Sequence, residues 1–352
     1  MPTADLVLEG GGVKGSGLVG AITALVERDD PYTFARVAGT SAGAIVASLL
    51  AAGIAPPEIK TIMDELDFSK FEDEPKVFAH APHLGAAFGL LLREGMYLGD
   101  FLRNWIADTL AAHGVRTWAD LKDDDPGSAL PPERRYKLVV IVSDVSRGLM
   151  LRLPWDYEAL LGVDADTQSV ADAVRASASI PFFFEPMRME VDPAITGHSH
   201  IVCTDGGMLS NYPIDIFDRH DDTASRWPTL GVKLSARTSV STDTWSPDAT
   251  DFQLAKSLLA TMMGAHDRVH VADPAFASRT VFVDTTGFSA TDFTLSAADK
   301  TTLFTSGHTS AQRFLNVWDW AKWKAGDYAS LLNPHAVLPG SGSASGAVGG
   351  KQ

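Results

Sequence analysis

The sequence has a single cysteine, Cys203, in 352 residues. One thiol excludes an internal disulfide, so the composition predicts a protein of a reducing compartment, which favours the cytoplasm. Long apolar runs are absent too. The longest apolar-leaning stretch, Leu84 to Leu92, is about half of the ~20 residues that a membrane-spanning helix needs. The start also lacks the basic and apolar segments of a secretory signal. We therefore expect a soluble protein that contacts membranes peripherally at most.

Basic residues are in the minority, with 29 Lys and Arg against 44 Asp and Glu and a formal net charge of −15. So acidic a surface disfavours nucleic acid and broad adsorption to anionic membranes. It does not exclude a local patch that touches lipid. The length suits one large α/β domain or two ordinary ones.

The first fifty residues contain two strand-turn-helix units. Leu6 to Leu8 is a short apolar run that ends in glycines, and apolar residues then recur at helical spacing from Ser16 to Arg28. Val37 and Ala38 lead into a second glycine-containing turn, followed by the apolar helix Ile45 to Ala52. Two such units predict a parallel sheet covered by helices.

Further elements follow downstream, and the region 56–120 is predicted to be mainly helical. The predicted strands are Leu138–Val142, Ile201–Cys203, Leu230–Leu234 and Val281–Val283, and the predicted helices are Val170–Ala178, Phe252–Val271 and Ser306–Lys324. Beyond Pro339, Gly, Ser and Ala dominate, which is typical of a disordered tail.

The second turn, Gly39-Thr40-Ser41-Ala42-Gly43, fits G-x-S-x-G at a strand-to-helix junction. In this context the pattern predicts a nucleophilic serine on a tight turn, with Gly39 and Gly43 making room for it. The alternative is an ordinary turn of small residues. Only one strand-helix unit precedes Ser41, which argues against the α/β-hydrolase order of elements.

The first turn, Gly10 to Gly15, satisfies G-x-G-x-x-G. A dinucleotide site would need an acidic residue at the end of the second strand, where the Ser41 turn stands instead. The alternative is an oxyanion hole formed by the backbone amides of Gly10, Gly11, Gly12 and Val13. Lys14 either adds positive charge near this site or is a solvated lysine at a helix start.

A carboxylate stands at the end of a later strand, in Asp205-Gly206-Gly207. Two glycines after the aspartate indicate a turn that holds the carboxylate at the strand end. An Asp-Gly hairpin turn is the commoner interpretation of this pattern taken alone.

Taken in order, Gly10–Gly15, Gly39–Gly43 and Asp205–Gly207 resemble the motifs of the patatin-like phospholipase family, of the bacterial type. Ala176 to Pro186 is similar to the family's Ala-Ser-x-Ala-x-Pro segment, and Asn211-Tyr212-Pro213 to its Asn-x-Pro. A segment from Gly95 to Leu121 also resembles the family. The resemblance covers roughly residues 5–325.

The resemblance implies a three-layer α/β fold with a mainly parallel central sheet, and a single catalytic domain over residues 1–336, followed by the tail 337–352. It implies a Ser41–Asp205 dyad without histidine, an oxyanion hole at Gly10–Gly12, and no metal or other cofactor. Lys14, Gly15, Gly39, Gly43, Gly206 and Gly207 would support the site. Phospholipids, lysophospholipids or other acyl lipids are the expected substrates. Residues 56–135 are the expected lid and acyl-chain wall.

Several alternatives stay open. A transacylase would share every motif, and a non-catalytic phosphate or nucleotide binder would use the Gly10–Gly15 loop. A Ser-His-Asp triad would need a catalytic histidine, but His198 and His200, which precede the Asp205 strand, look like loop or surface residues. Asp144 is interpreted as structural and Cys203 as a buried, inert thiol. The sequence leaves the oligomeric state open.

Overall fold

The computed structural model describes residues 1–73, 97–128, 130–219, 225–234 and 273–332. The apolar stretch Leu84 to Leu92, the predicted helix Phe252–Val271 and the predicted tail 337–352 lie outside the described residues.

A single sheet of eight strands organises the described residues, in the hydrogen-bonded order β5-β6-β3-β2-β1-β7-β8, with β4 also pairing with β3. Every residue of β3 is buried, as the apolar run Leu138 to Val142 predicts. The strands are β1 (Thr3–Leu8), β2 (Thr33–Thr40), β3 (Leu138–Asp144), β4 (Leu149–Leu153), β5 (Met187–Glu190), β6 (His200–Asp205), β7 (Thr229–Lys233) and β8 (Thr280–Phe282).

The sheet is mixed, so the prediction of a mainly parallel sheet holds for one run of five strands and not for the remaining three. The run β3-β2-β1-β7-β8 is parallel throughout. The pairs β3–β4, β3–β6 and β5–β6 are antiparallel. The sequence missed β4 and β5, because strands this short, with Arg152 in one and Arg188 in the other, carry little apolar alternation.

Two strands share one edge of β3 and meet end to end. Residues Val140 and Ile141 pair with both β2 and β4, so these two strands lie on opposite edges of β3. Val142 pairs with both β4 and Asp205 of β6, so β6 lies on the same edge as β2. Thr40 faces Ile141 and Asp205 faces the next residue along, which brings the ends of β2 and β6 together.

Helices flank this sheet, and the first three predicted helices are found within one to three residues of their predicted bounds. The first helix packs closely on α8, since a Cβ added to Gly20 would lie 2.0 Å from the carbonyl oxygen of Phe304. The described helices are α1 (Gly15–Val26), α2 (Ala42–Ala51), α3 (Pro56–Glu65), α4 (Asp100–Ala112), α5 (Val170–Ser177), α6 (Pro193–Thr196), α7 (Pro274–Ala277), α8 (Ala297–Leu315) and α9 (Trp320–Lys324).

The predicted helix Ser306–Lys324 was wrong in its bounds. Helix α8 begins earlier, because Ser296 and Asp299 form a capping box in which each side chain bonds the other residue's backbone amide. It ends at Leu315, and Asp319 caps the separate helix α9 by accepting the Lys322 amide.

Residues 56–135 are predicted to form the lid and acyl-chain wall. The described part of this region, up to Leu121, is mainly helical. Helices α3 and α4 lie there, with 3₁₀ turns at Phe68–Phe71 and Trp118–Leu121. Residues 74–96 of the same region lie outside the described residues.

Candidate active site

Ser41 occupies a strained turn between β2 and α2. Its φ of 53° and ψ of −122° lie in a region that residues with side chains rarely adopt. Gly39 and Gly43 permit the turn, because a Cβ on Gly39 would lie 2.3 Å from the Gly43 carbonyl group. Strain of this kind costs on the order of 1–3 kcal/mol and is typical of functional sites. Ser41 thus lies on a tight strand-to-helix turn, while its role as nucleophile stays a prediction.

Asp205 is fully buried at the end of β6. Its Oδ1 accepts the Gly207 amide at 2.8 Å, and a 3₁₀ turn follows at Gly206–Met208, so the chain does not form an Asp-Gly hairpin here. Burial raises the pKa of Asp205 from 3.8 to about 6, while hydrogen bonding from the Ser41 hydroxyl and the Gly207 amide pulls it down. The pKa of Asp205 is therefore close to neutral pH.

The structure brings Ser41 and Asp205 together. Gly206 packs against β3 and the end of β2, since its Cβ would lie 2.2 Å from the Ile141 carbonyl oxygen and 3.0 Å from Thr40 Cγ2. Among the described residues, no donor lies in good hydrogen-bonding geometry to the buried Oδ2 of Asp205. The Ser41 hydroxyl is nevertheless close enough to lower the pKa of this carboxyl group. The two groups thus interact without an ideal bond, as is common before substrate binds.

The glycine loop lies directly against Ser41. A Cβ on Gly10 would lie 3.1 Å from Ser41 Cβ. The Gly10 amide donates to the Asn211 carbonyl and the Val13 amide to the Ala290 carbonyl, each at 3.1 Å. Among the described residues, the amides of Gly11 and Gly12 have no such acceptor. Of the four amides that the sequence predicts to form an oxyanion hole, those of Gly10 and Val13 therefore already have backbone acceptors.

Asn211 is hydrogen-bonded to the glycine loop at Gly10. Besides accepting the Gly10 amide, it donates from Nδ2 to the Gly10 carbonyl at 3.2 Å. The loop bends at Gly12, whose φ of 57° and whose contact with the Ala290 carbonyl leave no space for a Cβ. No role for Ala290 could be predicted from the sequence, because every residue has a backbone carbonyl that could accept a hydrogen bond from a distant loop.

Lys14 does not extend into solvent. Its Nζ donates to Thr285 Oγ1 at 3.4 Å. Burial lowers the pKa of Lys14, while the charge of Glu9 opposes that shift. Glu9 itself pairs with Lys233 in the protein interior, immediately before the glycine loop. Gly15 starts α1 and would bring a Cβ no closer than 3.2 Å to Met63 Cε.

An apolar pocket with a cavity volume of about 30 Å³ opens beside Ser41. Every lining residue other than Ser41 is apolar or glycine. One wall comes from α3 and the turn after it, namely Met63, Leu66, Phe68 and Phe71. Ser41 therefore lies in a cavity lined by apolar side chains.

The three consecutive phenylalanines Phe182–Phe184 lie in three different environments. Phe184 lines the pocket, while Phe183 is buried and stacks on Phe293 with ring centroids 4.4 Å apart. Phe182 is 38% exposed and has a φ of 67°. Phe293, which the sequence did not single out, joins the pocket from a distant part of the chain.

The other candidate residues lie where the sequence predicts. Asp144 is structural, because its Oδ1 accepts the Ser146 amide at 2.9 Å and its Oδ2 pairs with Arg147 at 2.6 Å. Cys203 is buried, and burial raises the pKa of its thiol to about 12. His198 and His200 are exposed.

None of the four described histidines contacts the dyad. His113 bonds Glu58 and His308 bonds Glu27, both at the surface, and His200 contacts Arg188. Within the described part of the chain there is also no group of three or more His, Cys, Asp or Glu residues that would hold a metal ion.

A family model described as "Patatin-like phospholipase" matches residues 6–218, which include the glycine loop, Ser41 and Asp205. The chain belongs to the patatin-like phospholipase family. It is also 37% identical over 316 residues to the uncharacterized protein YqhO of Bacillus subtilis, covering 90% of this chain and 99% of that one. The uncharacterized protein R571 of Acanthamoeba polyphaga mimivirus is 26% identical over 233 residues, covering 66% of this chain and 65% of that one.

Two solved structures also resemble this patatin-like chain. VipD from Legionella pneumophila superposes with a TM-score of 0.48 at 18% identity, over 89% of this chain and 66% of VipD. ExoU from Pseudomonas aeruginosa, solved as a complex with SpcU, superposes with a TM-score of 0.45 at 20% identity, over 90% of this chain and 51% of that one. This chain thus spans between half and two thirds of those proteins. No described helix is long and apolar enough to cross a membrane.

Proposed function

We propose that this family member is a lipid acyl hydrolase, of phospholipase A, lysophospholipase or esterase type, that cleaves carboxylic esters with Ser41 and Asp205. One observation carries the proposal. A strained serine, a buried carboxylate and a wholly apolar pocket meet at one point of the fold. A phospholipid substrate lies in a membrane, so this function also implies peripheral contact with a lipid surface.

The reaction we propose passes through an acyl-enzyme. Ser41 Oγ bonds to the ester carbonyl carbon while its proton passes to Asp205. The negative charge on the former carbonyl oxygen is stabilised by the amides of Gly11 and Gly12, which have no backbone acceptor in the described part of the chain. The intermediate then expels the alcohol, which takes the proton from Asp205. Water repeats the sequence with the carboxylate as base and releases the fatty acid.

Asp205 has the properties that a base in this reaction needs. A carboxylate at its ordinary pKa is a weak base toward a hydroxyl, and general bases work best with a pKa near the operating pH. Burial moves the pKa of Asp205 to about 6, so the group is mostly ionised at neutral pH and still basic.

The pocket favours an acyl chain over a phosphate group as its occupant. Phosphate sites need hydrogen-bond donors and positive charge, whereas the walls here are aliphatic and aromatic. Each methylene group buried in such a pocket stabilises the complex by about 0.8 kcal/mol.

A fluorophosphonate probe and a panel of lipid esters test the proposal. We expect the wild-type protein to be labelled at Ser41 and to release fatty acid from at least one phospholipid or lysophospholipid. The variants Ser41→Ala and Asp205→Asn should lose labelling and turnover while keeping the fold. Asp144→Asn is the matched control, since it removes another fully buried carboxylate from the adjacent strand and should still be labelled.

Other outcomes separate the alternatives. Absence of labelling together with saturable binding of a nucleotide would contradict the hydrolase and favour a binding protein. Transfer of the acyl group to an added alcohol, in preference to water, would identify a transacylase that uses the same residues.

A further inference from the structure

Among the described residues, the backbone amide of Ser41 has one partner, which comes from another element. It donates to Ser177 Oγ at 2.9 Å, across 136 residues of sequence. Ser41 precedes α2, so its amide has no acceptor within that helix. The strained turn is therefore held at its centre by one hydroxyl group.

The hydroxyl of Ser177 is fixed in its turn by the sheet. It donates its own proton to the Ile141 carbonyl at 2.6 Å, and the whole residue is buried. Ile141 is the register partner of Thr40, the residue before the nucleophile. The serine hydroxyl thus bridges the rigid strand β3 and the Ser41 amide, and no freedom remains for it to rotate away.

The same short stretch of chain also holds the base. The Ser179 carbonyl, two residues on, accepts the Asp205 amide at 2.9 Å and the Thr204 hydroxyl at 2.7 Å. The end of α5 and the residues just after it therefore bond both Ser41 and Asp205. Ser177 bonds Ser41 through its side chain, which a substitution can remove, whereas Ser179 bonds Asp205 through its backbone.

We propose that Ser177 is a positioning residue, whose hydroxyl fixes the Ser41 backbone so that Oγ faces Asp205. The proposal rests on the proposed role of Ser41 as nucleophile. Without the hydroxyl, the Ser41 amide and the Ile141 carbonyl lose their partner, and the strained turn can relax. Reacting groups displaced by about 1 Å can lose 100-fold in rate, so the effect should appear in the chemical step.

Ser177→Ala is compared with Ser48→Ala as a matched control. Ser48 is equally buried and lies in α2, but among the described residues its hydroxyl bonds only the Ile45 carbonyl of its own helix. We expect Ser177→Ala to lower kcat about 10- to 100-fold with KM nearly unchanged, and to slow fluorophosphonate labelling by the same factor. Ser48→Ala should lower the urea midpoint by a similar amount while labelling stays within about twofold.

A second pair of variants decides the matter if Ser177→Ala does not fold. Ser177→Thr and Ser177→Val have the same shape and differ only in the hydroxyl group. We expect the Thr variant to be labelled at least about tenfold faster than the Val variant. Equal labelling rates in this pair, or labelling of Ser177→Ala at the wild-type rate, would overturn the positioning role. Absence of labelling in the wild-type protein would instead contradict the proposed function.

Discussion

The buried carboxylate of Asp205 should destabilise the fold at neutral pH, so Asp205→Asn should make the protein inactive and relatively more stable. In the unfolded chain this group titrates near 3.8, and in the folded protein near 6. The folded state therefore binds a proton more tightly. The stability that this proton contributes is fully present below about pH 4 and is lost as the pH rises through about 6.

The size of the effect follows from the shift. Two pKa units correspond to about 3 kcal/mol at 1.36 kcal/mol per unit. Asn carries no charge at any pH, and its oxygen can still accept the Gly207 amide. The free energy of unfolding of Asp205→Asn minus that of wild type should therefore increase by about 3 kcal/mol between about pH 4 and pH 8.

Urea unfolding at a series of pH values measures this difference. Asp144→Asn is the control, because that carboxylate pairs with Arg147 and its replacement should destabilise the protein at about pH 8. A difference between Asp205→Asn and wild type that stays constant across the pH series would refute the reasoning. So would a decrease toward high pH.

Four further results are expected. The kcat/KM of ester hydrolysis should fall about tenfold per pH unit below an apparent pKa of about 6, as Asp205 takes up a proton, which a pH-rate profile checks. Gly10→Ala should reduce fluorophosphonate labelling at least about 100-fold, since its Cβ would lie 2.3 Å from a buried amide oxygen, whereas Gly15→Ala should be tolerated. Leu102→Trp should fill the pocket and lower kcat/KM about tenfold for long-chain esters but not for acetyl esters, in a chain-length series. Lys300→Met should lower the free energy of unfolding by about 2–4 kcal/mol in urea titrations, because its ammonium donates to three carbonyls at the end of α3.

The parts of the site that the sequence predicts are those encoded within a few residues. The elbow at Ser41 follows from two glycines and a strand-to-helix change, and the position of Asp205 follows from a strand ending in Gly206. Their meeting does not follow from either pattern. It depends on β2 and β6 sharing one edge of β3, which is set by long-range pairing and not by local propensity.

The contacts that complete the site were out of reach of the sequence for the same reason. Nothing near Ser177 indicates that its hydroxyl accepts an amide 136 residues away. The acceptor of the Val13 amide is a carbonyl at Ala290, and any residue can supply a carbonyl. Phe293 reaches the pocket from beyond all the motifs, so its apolar character alone could not assign it to the wall.

Three unfavourable features are concentrated at one end of β3. Ser41 has a strained backbone, Asp205 has a buried charge without a counter-charge, and the amides of Gly11 and Gly12 lack acceptors among the described residues. The last two would be relieved by the reaction we propose, because an oxyanion accepts hydrogen bonds from the amides and a proton neutralises the carboxylate. The fully buried strands beneath supply the stability that keeps these features in place. Sites of this kind are complementary to a transition state before any substrate binds, and the energy they need comes from the rest of the fold.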